Sequence, residues 1–436
     1  MRRNDKSRRY NTQQVVSSFL QNGYGIIIDN NSLYLIGYTL YLVYSLLSAS
    51  FYQRYLLGVV GDVIAGTCIA IFFAKELLFT TVDVFTMLFF FIAGFFVLLA
   101  VSAQTMPFVT AIVAIYTARD IDFKRITRVT VYISIITMCF IILSSRLGII
   151  DDYVLYDTSG RIRHYLGFRY TLYPPTIMFN ITACIVYLRK KQFWIKDALI
   201  LLLFNYILYK LTQSRLTFFT SVLLICIALL INIVRINNWN PYLLLVPIYP
   251  IIALLSVVLC LTYDSGKAWM KWLNTITSNR IALGRLSLMQ YGLRMLSNRE
   301  IIWTGVGADA FGRRSKLTMN YVDNLYIRLL QRYGIIFFAL ILILLTVAMY
   351  VICKNKHRHL AVIMAILALH GFIDDLIFNL YFNTFLIVLI APIMVEFKQK
   401  IGLEETNQLY NIESDVVAHR TNYKVIDTND NMDSHM

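Results

Sequence analysis

The sequence is poor in charge. Asp, Glu, Lys and Arg together make up 15% of its 436 residues, against 58% hydrophobic residues. Many windows of about 17–20 residues carry no charge, the length a helix needs to cross a bilayer core. A soluble protein of this length has no way to keep so much apolar surface from water. The apolar runs are continuous and do not alternate, which excludes a membrane β-barrel. Cysteine is scarce too. The chain has six, nearly all inside apolar runs, and no CxxC pair. Structural zinc and a disulfide framework are thereby excluded. The N-terminus lacks an apolar core and a cleavage site. MRRNDKSRRY runs into polar NTQQ and QNGYG, so residues 1–32 read as a basic cytoplasmic lead-in rather than a secretory signal.

What is there is a series of apolar segments. Hydropathy predicts an all-α, polytopic transmembrane bundle of about 12 spans, with 11–13 the range. The cores lie near 33–50, 55–74, 84–102, 105–118, 128–147, 174–188, 197–212, 216–234, 242–262, 333–352, 359–374 and 379–395. Residues 33–396 form the membrane domain. The tail, 397–436, contains EETNQLYNIESD and DTNDNMDSH without a sustained period, and reads as a flexible cytoplasmic segment. Placing the N-terminus in the cytoplasm puts ARDIDFKRITR, RKKQFWIK and CKNKHRH on the inner side, as positive-inside retention requires.

Two long loops then face outward, at 148–173 and 263–322. The second carries nine Lys and Arg (Lys267, Lys271, Arg280, Arg285, Arg294, Arg299, Arg313, Arg314, Lys316) against only Asp264, Glu300 and Asp309. Cations facing away from the cytoplasm call for compensation, and the planar fork of Arg suits a phosphate, a pyrophosphate or an acidic sugar. The alternative is an electrostatic rim on an anionic leaflet, or a long loop that crosses regardless of charge. Within the loop, Ala282, Leu286, Met289, Leu293 and Leu296 follow a 4-3-4-3 spacing, which predicts an amphipathic helix along the outer membrane interface.

Five short constellations carry the candidate chemistry. In YKLTQSRLTFF, Arg215 stands with Thr212, Gln213 and Ser214 between two apolar runs, functional or simply snorkelling. RHYLGFRYTLYPP places His164 and Arg169 among aromatic rings before a Pro-Pro helix entry. GVGADAFG offers Gly305, Gly307 and Gly312, but no GK[ST] follows, and a tight turn is the better reading. HGFIDDLIFN sets Asp374 and Asp375 near an outer membrane edge, either as a turn or as carboxylates that pair with an outward Arg or act as a general base. YVDNLYIRLLQRYG begins with Asp323 and Asn324 and carries Arg328 and Arg332 just before a long apolar run. One of Asp323 and Asn324 suffices to cap a helix; the arginines are predicted to line an anion-binding cavity or to pair with carboxylates such as Asp374.

TQSR at 212–215, NRIALGR at 279–285, and GVGADAFG followed by VDNLYIRLLQRYG with its late Gly334 come in an order that resembles the Wzy-type oligosaccharide repeat-unit polymerases. These O-antigen and capsule polymerases belong with the O-antigen-ligase-like membrane proteins. LGFRYTLYPP is similar to that family's outward loop but departs from its His-Pro-Asn form, which weakens a role for His164. The resemblance covers most of residues 30–395. It implies transfer of a growing glycan from undecaprenyl pyrophosphate to a sugar hydroxyl of the next lipid-linked repeat unit. The reaction would take place at the outer face of a bacterial plasma membrane, with both termini cytoplasmic. It implies no cofactor, no metal and no nucleic acid, and as partners the lipid-linked oligosaccharide, a flippase and chain-length regulators. On that basis Arg215, Arg285, Asp323 and Asp374 are candidate catalytic residues. Arg169, Arg280, Asn324, Tyr326, Arg328 and His164 are candidate substrate-binding residues. The alternatives are a ligase that moves finished glycan to another acceptor, and a transporter or flippase of lipid-linked sugars. The latter would show an internal repeat, and none is evident.

Overall fold

The computed structural model describes residues 29–400 except 81–82, 157–159, 234–239, 306 and 315–319. Most of the N-terminal lead-in and of the C-terminal tail lies outside the described residues. About 73% of the structure is helical. The helices in chain order are α1 (Asn30–Ser48), α2 (Val59–Phe79), α3 (Val84–Ser102), α4 (Met106–Thr117), α5 (Phe123–Arg146), α6 (Tyr173–Arg189), α7 (Ile195–Thr212), α8 (Arg215–Ile233), α9 (Ile248–Thr262), α10 (Ala268–Ile276), α11 (Arg280–Tyr291), α12 (Leu325–Arg332), α13 (Gly334–Lys354), α14 (Arg358–Gly371) and α15 (Ala391–Lys400). A single helical turn also occupies Gln53–Leu56.

Each predicted apolar core coincides with helix, but five segments are long and apolar enough to cross a membrane: Val84–Ser102, Phe123–Arg146, Arg215–Ile233, Pro241–Thr262 and Gly334–Lys354. Charge or short length separates others: α2 has 21 residues but carries Asp62, Lys75 and Glu76. The 12 residues of α4 make a rod of about 18 Å, short of the roughly 30 Å hydrocarbon core. The core predicted at 379–395 is not one α-helix. Residues Thr384–Leu389 are 3₁₀ and α15 starts only at Ala391. Asn383 supplies the reason. Its Nδ2 donates to Ile377 O at 2.9 Å and its Oδ1 accepts from Phe385 N at 3.1 Å, so the side chain takes backbone partners that a helix would need.

Apolar side chains also cover the outside. Leu77 is 83% exposed and Val84 78%, an excess that a lipid solvent accounts for and water does not. At the centre lies α6. Pro174 and Pro175 open it, where their missing N–H groups cost nothing. It packs on α5, α7 and α8, and most of its side chains are buried. The segment 148–173 departs from the all-helical expectation. It holds an antiparallel hairpin of β1 (Val154–Tyr156) and β2 (Ile162–His164), in register Leu155 to Arg163. At the opposite end, the fully buried Lys75 pairs with Asp120 and with Glu76 (3.0 Å), and Arg119 forks onto both oxygens of Glu76 at 2.9 and 2.6 Å. These pairs fasten the end of α2 to the turn after α4.

Candidate functional site

The site begins at the N-terminus of α12. Asn324 is its cap, with Oδ1 accepting from Tyr326 N (3.0 Å) and Ile327 N (3.2 Å). Capping uses one residue, and Asp323 is left for another partner. That partner is Arg280, whose Nη2 lies 3.6 Å from Asp323 Oδ2, with both side chains 9% exposed. Arg280 is the first residue of α11, aimed by the left-handed backbone at Ser278 and Asn279 (φ 56° and 66°). Its Nη1 donates to Thr277 O at 3.1 Å. Burial raises the Asp323 carboxyl above the ordinary carboxylate range. Asp374 pushes it the same way, while Arg280, Arg328 and Arg163 oppose.

One turn into α12, Arg328 pairs with Asp375 and contacts the Tyr321 hydroxyl. Tyr321 also donates to the same Asp375 oxygen at 3.1 Å. Burial pushes the Tyr321 hydroxyl up to about 12. Trp303 is flanked by two guanidinium groups, Arg328 at 5.6 Å and Arg332 at 5.2 Å from its ring centre. Its Nε1 donates to Ser287 Oγ (3.0 Å), which donates to Gln331 Oε1 (2.7 Å), and Gln331 Nε2 returns to Ser287 O (3.0 Å). This chain of hydrogen bonds holds α11 against α12, and so Arg280 against Asp323.

Asp374 occupies the floor. Its Oδ1 accepts from Leu376 N (3.0 Å), and its Oδ2 lies 3.3 Å from Thr176 Oγ1 and 3.4 Å from His370 Nε2. His370 is fully buried, bonded through Nδ1 to Thr220 Oγ1 at 2.8 Å and stacked on Phe179 at 4.7 Å. The hairpin supplies a third guanidinium, since Arg163 Nε donates to Thr212 O at 2.9 Å. Two buried atoms of the site, Arg280 Nε and Asp375 Oδ1, make no hydrogen bond among the described residues. The arrangement therefore presents guanidinium groups beside a carboxylate of raised proton affinity, with an unsatisfied donor and an unsatisfied acceptor.

Of the candidate residues, the structure brings Arg280, Asp323, Arg328 and Asp374 together. Others fall elsewhere. Asp375, not Asp374, takes the arginine of α12, because Asp374 is already engaged by His370 and Thr176. Tyr326 is 1% exposed and its hydroxyl donates to Ala368 O at 2.8 Å, which points it into the bundle; Tyr321 is the tyrosine at the site. Arg285 faces away from Arg280. Its Nη1 donates to Leu261 O (2.9 Å) and Tyr263 O (2.7 Å) at the end of α9. Arg169 is strapped to the end of α1, its Nε donating to Ser48 O at 3.1 Å. Arg215 is exposed at the first residue of α8 with no side-chain partner among the described residues. His164 ends β2, in register with Val154.

The Gly-rich stretch is a tight turn. Asp309 Oδ1 accepts from Phe311 N and Arg313 N, both at 2.9 Å, and Gly312 has φ 78°. The amphipathic helix is shorter than its spacing implied, ending at Gly292 (φ 63°), while Leu286 and Met289 of its apolar stripe are 50% and 73% exposed. Tyr321, Arg163 and His370 were not singled out by sequence, whereas Asp375 was named with Asp374 as a possible partner of an outward Arg and pairs with Arg328. The i, i+4 spacing of His370 and Asp374 on a helical run was the one signal available for His370. The chain matches no protein-family model, no curated protein and no solved structure.

Proposed function

We propose that the chain is a membrane glycosyltransferase that polymerises lipid-linked oligosaccharide repeat units at the outer face of a bacterial plasma membrane. The observation that carries the reading is the convergence of Arg280 and Asp323 with Arg328, Asp375 and Asp374 at one end of an apolar bundle. Three separate segments of the chain meet there, each bringing charge at its own desolvation cost. In the proposed reaction the acceptor hydroxyl oxygen attacks the anomeric carbon of the growing glycan. The bond from that carbon to the pyrophosphate oxygen breaks, and its electron pair leaves with the pyrophosphate. The hydroxyl proton passes to the Asp323 carboxylate, whose raised proton affinity suits a base. Arg280 and Arg328 stabilise the charge on the departing pyrophosphate. Arg215, exposed beside the Thr212 turn that holds Arg163, is a further cation at the rim. The twelve-span topology with cytoplasmic termini belongs to the same proposal.

The test is a reconstitution. The full chain in lipid nanodiscs is given undecaprenyl-pyrophosphate-linked repeat units, and products are resolved by size. A ladder of repeat units is expected from the wild type and single units from Arg280→Ala. A ladder from Arg280→Ala of unchanged intensity would remove the site from the mechanism. Transfer of one finished glycan to a different acceptor, without a ladder, would favour a ligase.

A further inference from the structure

We infer that the cleft between the end of α9 and the side of α11 binds the phosphate headgroup of an anionic phospholipid, with an acyl chain lying along α9. The inference goes beyond the glycosyl-transfer reading and does not rest on it. The cleft has a volume of about 550 Å³ and is lined by Leu261, Asp264, Lys267, Arg285 and Met289 among others. It lies at the C-terminal end of a candidate membrane span, Pro241–Thr262, the depth at which lipid phosphates sit.

Arg285 is held there by one nitrogen. Nη1 donates to Leu261 O and Tyr263 O, satisfying carbonyls at the end of α9, while Nε and Nη2 make no hydrogen bond among the described residues. Those remaining N–H groups form the edge of a guanidinium fork, which fits two phosphate oxygens. The ammonium of Lys267 has no ion-pair partner among the described residues, and the single acid of the lining, Asp264, accepts from Gly266 N at 2.9 Å. The cleft is thus cationic. It is separate from the Arg280–Asp323 centre, because Arg285 comes five residues after Arg280, about 140° round the helix.

An apolar track leads away from the cleft along α9. Leu261, Val258, Leu254 and Ile251 are 56%, 44%, 66% and 53% exposed. Their spacing puts them on one face. They span about 15 Å at 1.5 Å per residue, half the hydrocarbon core and so the depth of one leaflet. A free phosphate has no use for this track, and a zwitterionic lipid gains less from the two cations. Trp269 and Trp272 of α10 beside the cleft are 56% and 65% exposed, in keeping with the headgroup level that Trp favours. A lipid held here would set the height of α11, and with it the position of Arg280.

The experiment uses the full-length chain in mild detergent with dioleoylphosphatidylglycerol, dioleoylphosphatidylcholine or inorganic phosphate. Bound lipid is counted by native mass spectrometry, and melting is followed in parallel. The anionic lipid is expected to be retained and to raise the melting temperature, and the zwitterionic lipid is not. Lys267→Gln should weaken retention about fivefold, the worth of one basic residue at a lipid surface. Leu254→Ser, on the exposed track, should also weaken it while the protein stays folded. Equal retention of both lipids, full displacement by inorganic phosphate, or unchanged retention by both variants would overturn the inference.

Discussion

Arg328 and Asp375 form an ion pair in which the carboxylate is 2% exposed and the arginine side chain 31%. The two residues come from opposite sides of a long apolar helix, α13, and of α14 after it. Removing the arginine leaves the acid buried and uncompensated, apart from the Tyr321 hydroxyl. Arg328→Ala should therefore lower stability by about 3 kcal/mol. Asp375→Asn in the same chain should restore most of that loss. Thermal melting of the two variants in detergent decides it. A single variant that melts like the wild type would mean the pair carries no weight.

Asp323 gives a pH dependence. Its carboxyl is raised by burial, so it holds a proton to higher pH than an ordinary Asp. As the base of the proposed reaction it works only deprotonated, and the rate should fall as pH drops through that raised value. The acidic limb of kcat/KM is expected above the ordinary carboxylate range near 4. The sign for stability is the reverse of a salt-bridged Asp. The folded protein binds the proton more tightly than the unfolded chain, so Asp323 favours folding at low pH and loses that contribution as pH rises through the interval. Asp323→Asn should abolish turnover and flatten this stability term. An unchanged acidic limb in Asp323→Asn would dismiss the residue as the base.

Asn324, one residue on, should behave differently. It caps α12 through two backbone N–H groups, and Asn324→Ala should cost about 1 kcal/mol. Asn324→Ser keeps a capping oxygen and should melt near the wild type. If Asn324→Ser loses turnover without losing stability, the residue does more than cap.

Gly334 joins α12 to α13 with φ 89°, and a Cβ there would lie 2.5 Å from Leu296 O and 2.6 Å from Met295 O. A left-handed residue alone costs roughly 1–2 kcal/mol. With backbone atoms in the way, Gly334→Ala should cost more and lower the yield of folded protein. Gly66, within α2, has nothing near its Cβ position, and Gly66→Ala is the control. Equal melting temperatures for the two variants would contradict the account.

Much of the site was legible as separate charges at the ends of apolar runs. Arg280, Asp323, Arg328 and Asp374 are all polar groups that a membrane segment carries at a cost. Their pairing was not legible. Asp374 and Asp375 are adjacent and chemically identical, and the choice between them depends on His370 one turn earlier and on Thr176 arriving from the distant α6. Tyr321 and Tyr326 look alike in the sequence, and only the phase of α12, set by its cap at Asn324, turns Tyr326 inward. Likewise Arg280 and Arg285 share a stretch of positive charge, yet the helix start at Arg280 sends them to different neighbours.

By itself the sequence determined that this chain is a bundle of apolar helices with a long cationic loop, because hydropathy and helix length are local properties of consecutive residues. It also offered Asp323 and Asn324 as caps for a helix start, where capping chemistry acts over a few residues. Only the folded structure decided where helices stop short, as in the 12 residues of α4. It also decided which carboxylate meets which arginine. Those outcomes depend on groups far apart in sequence, 198 residues for Thr176 and Asp374, and on the desolvation that only packing imposes.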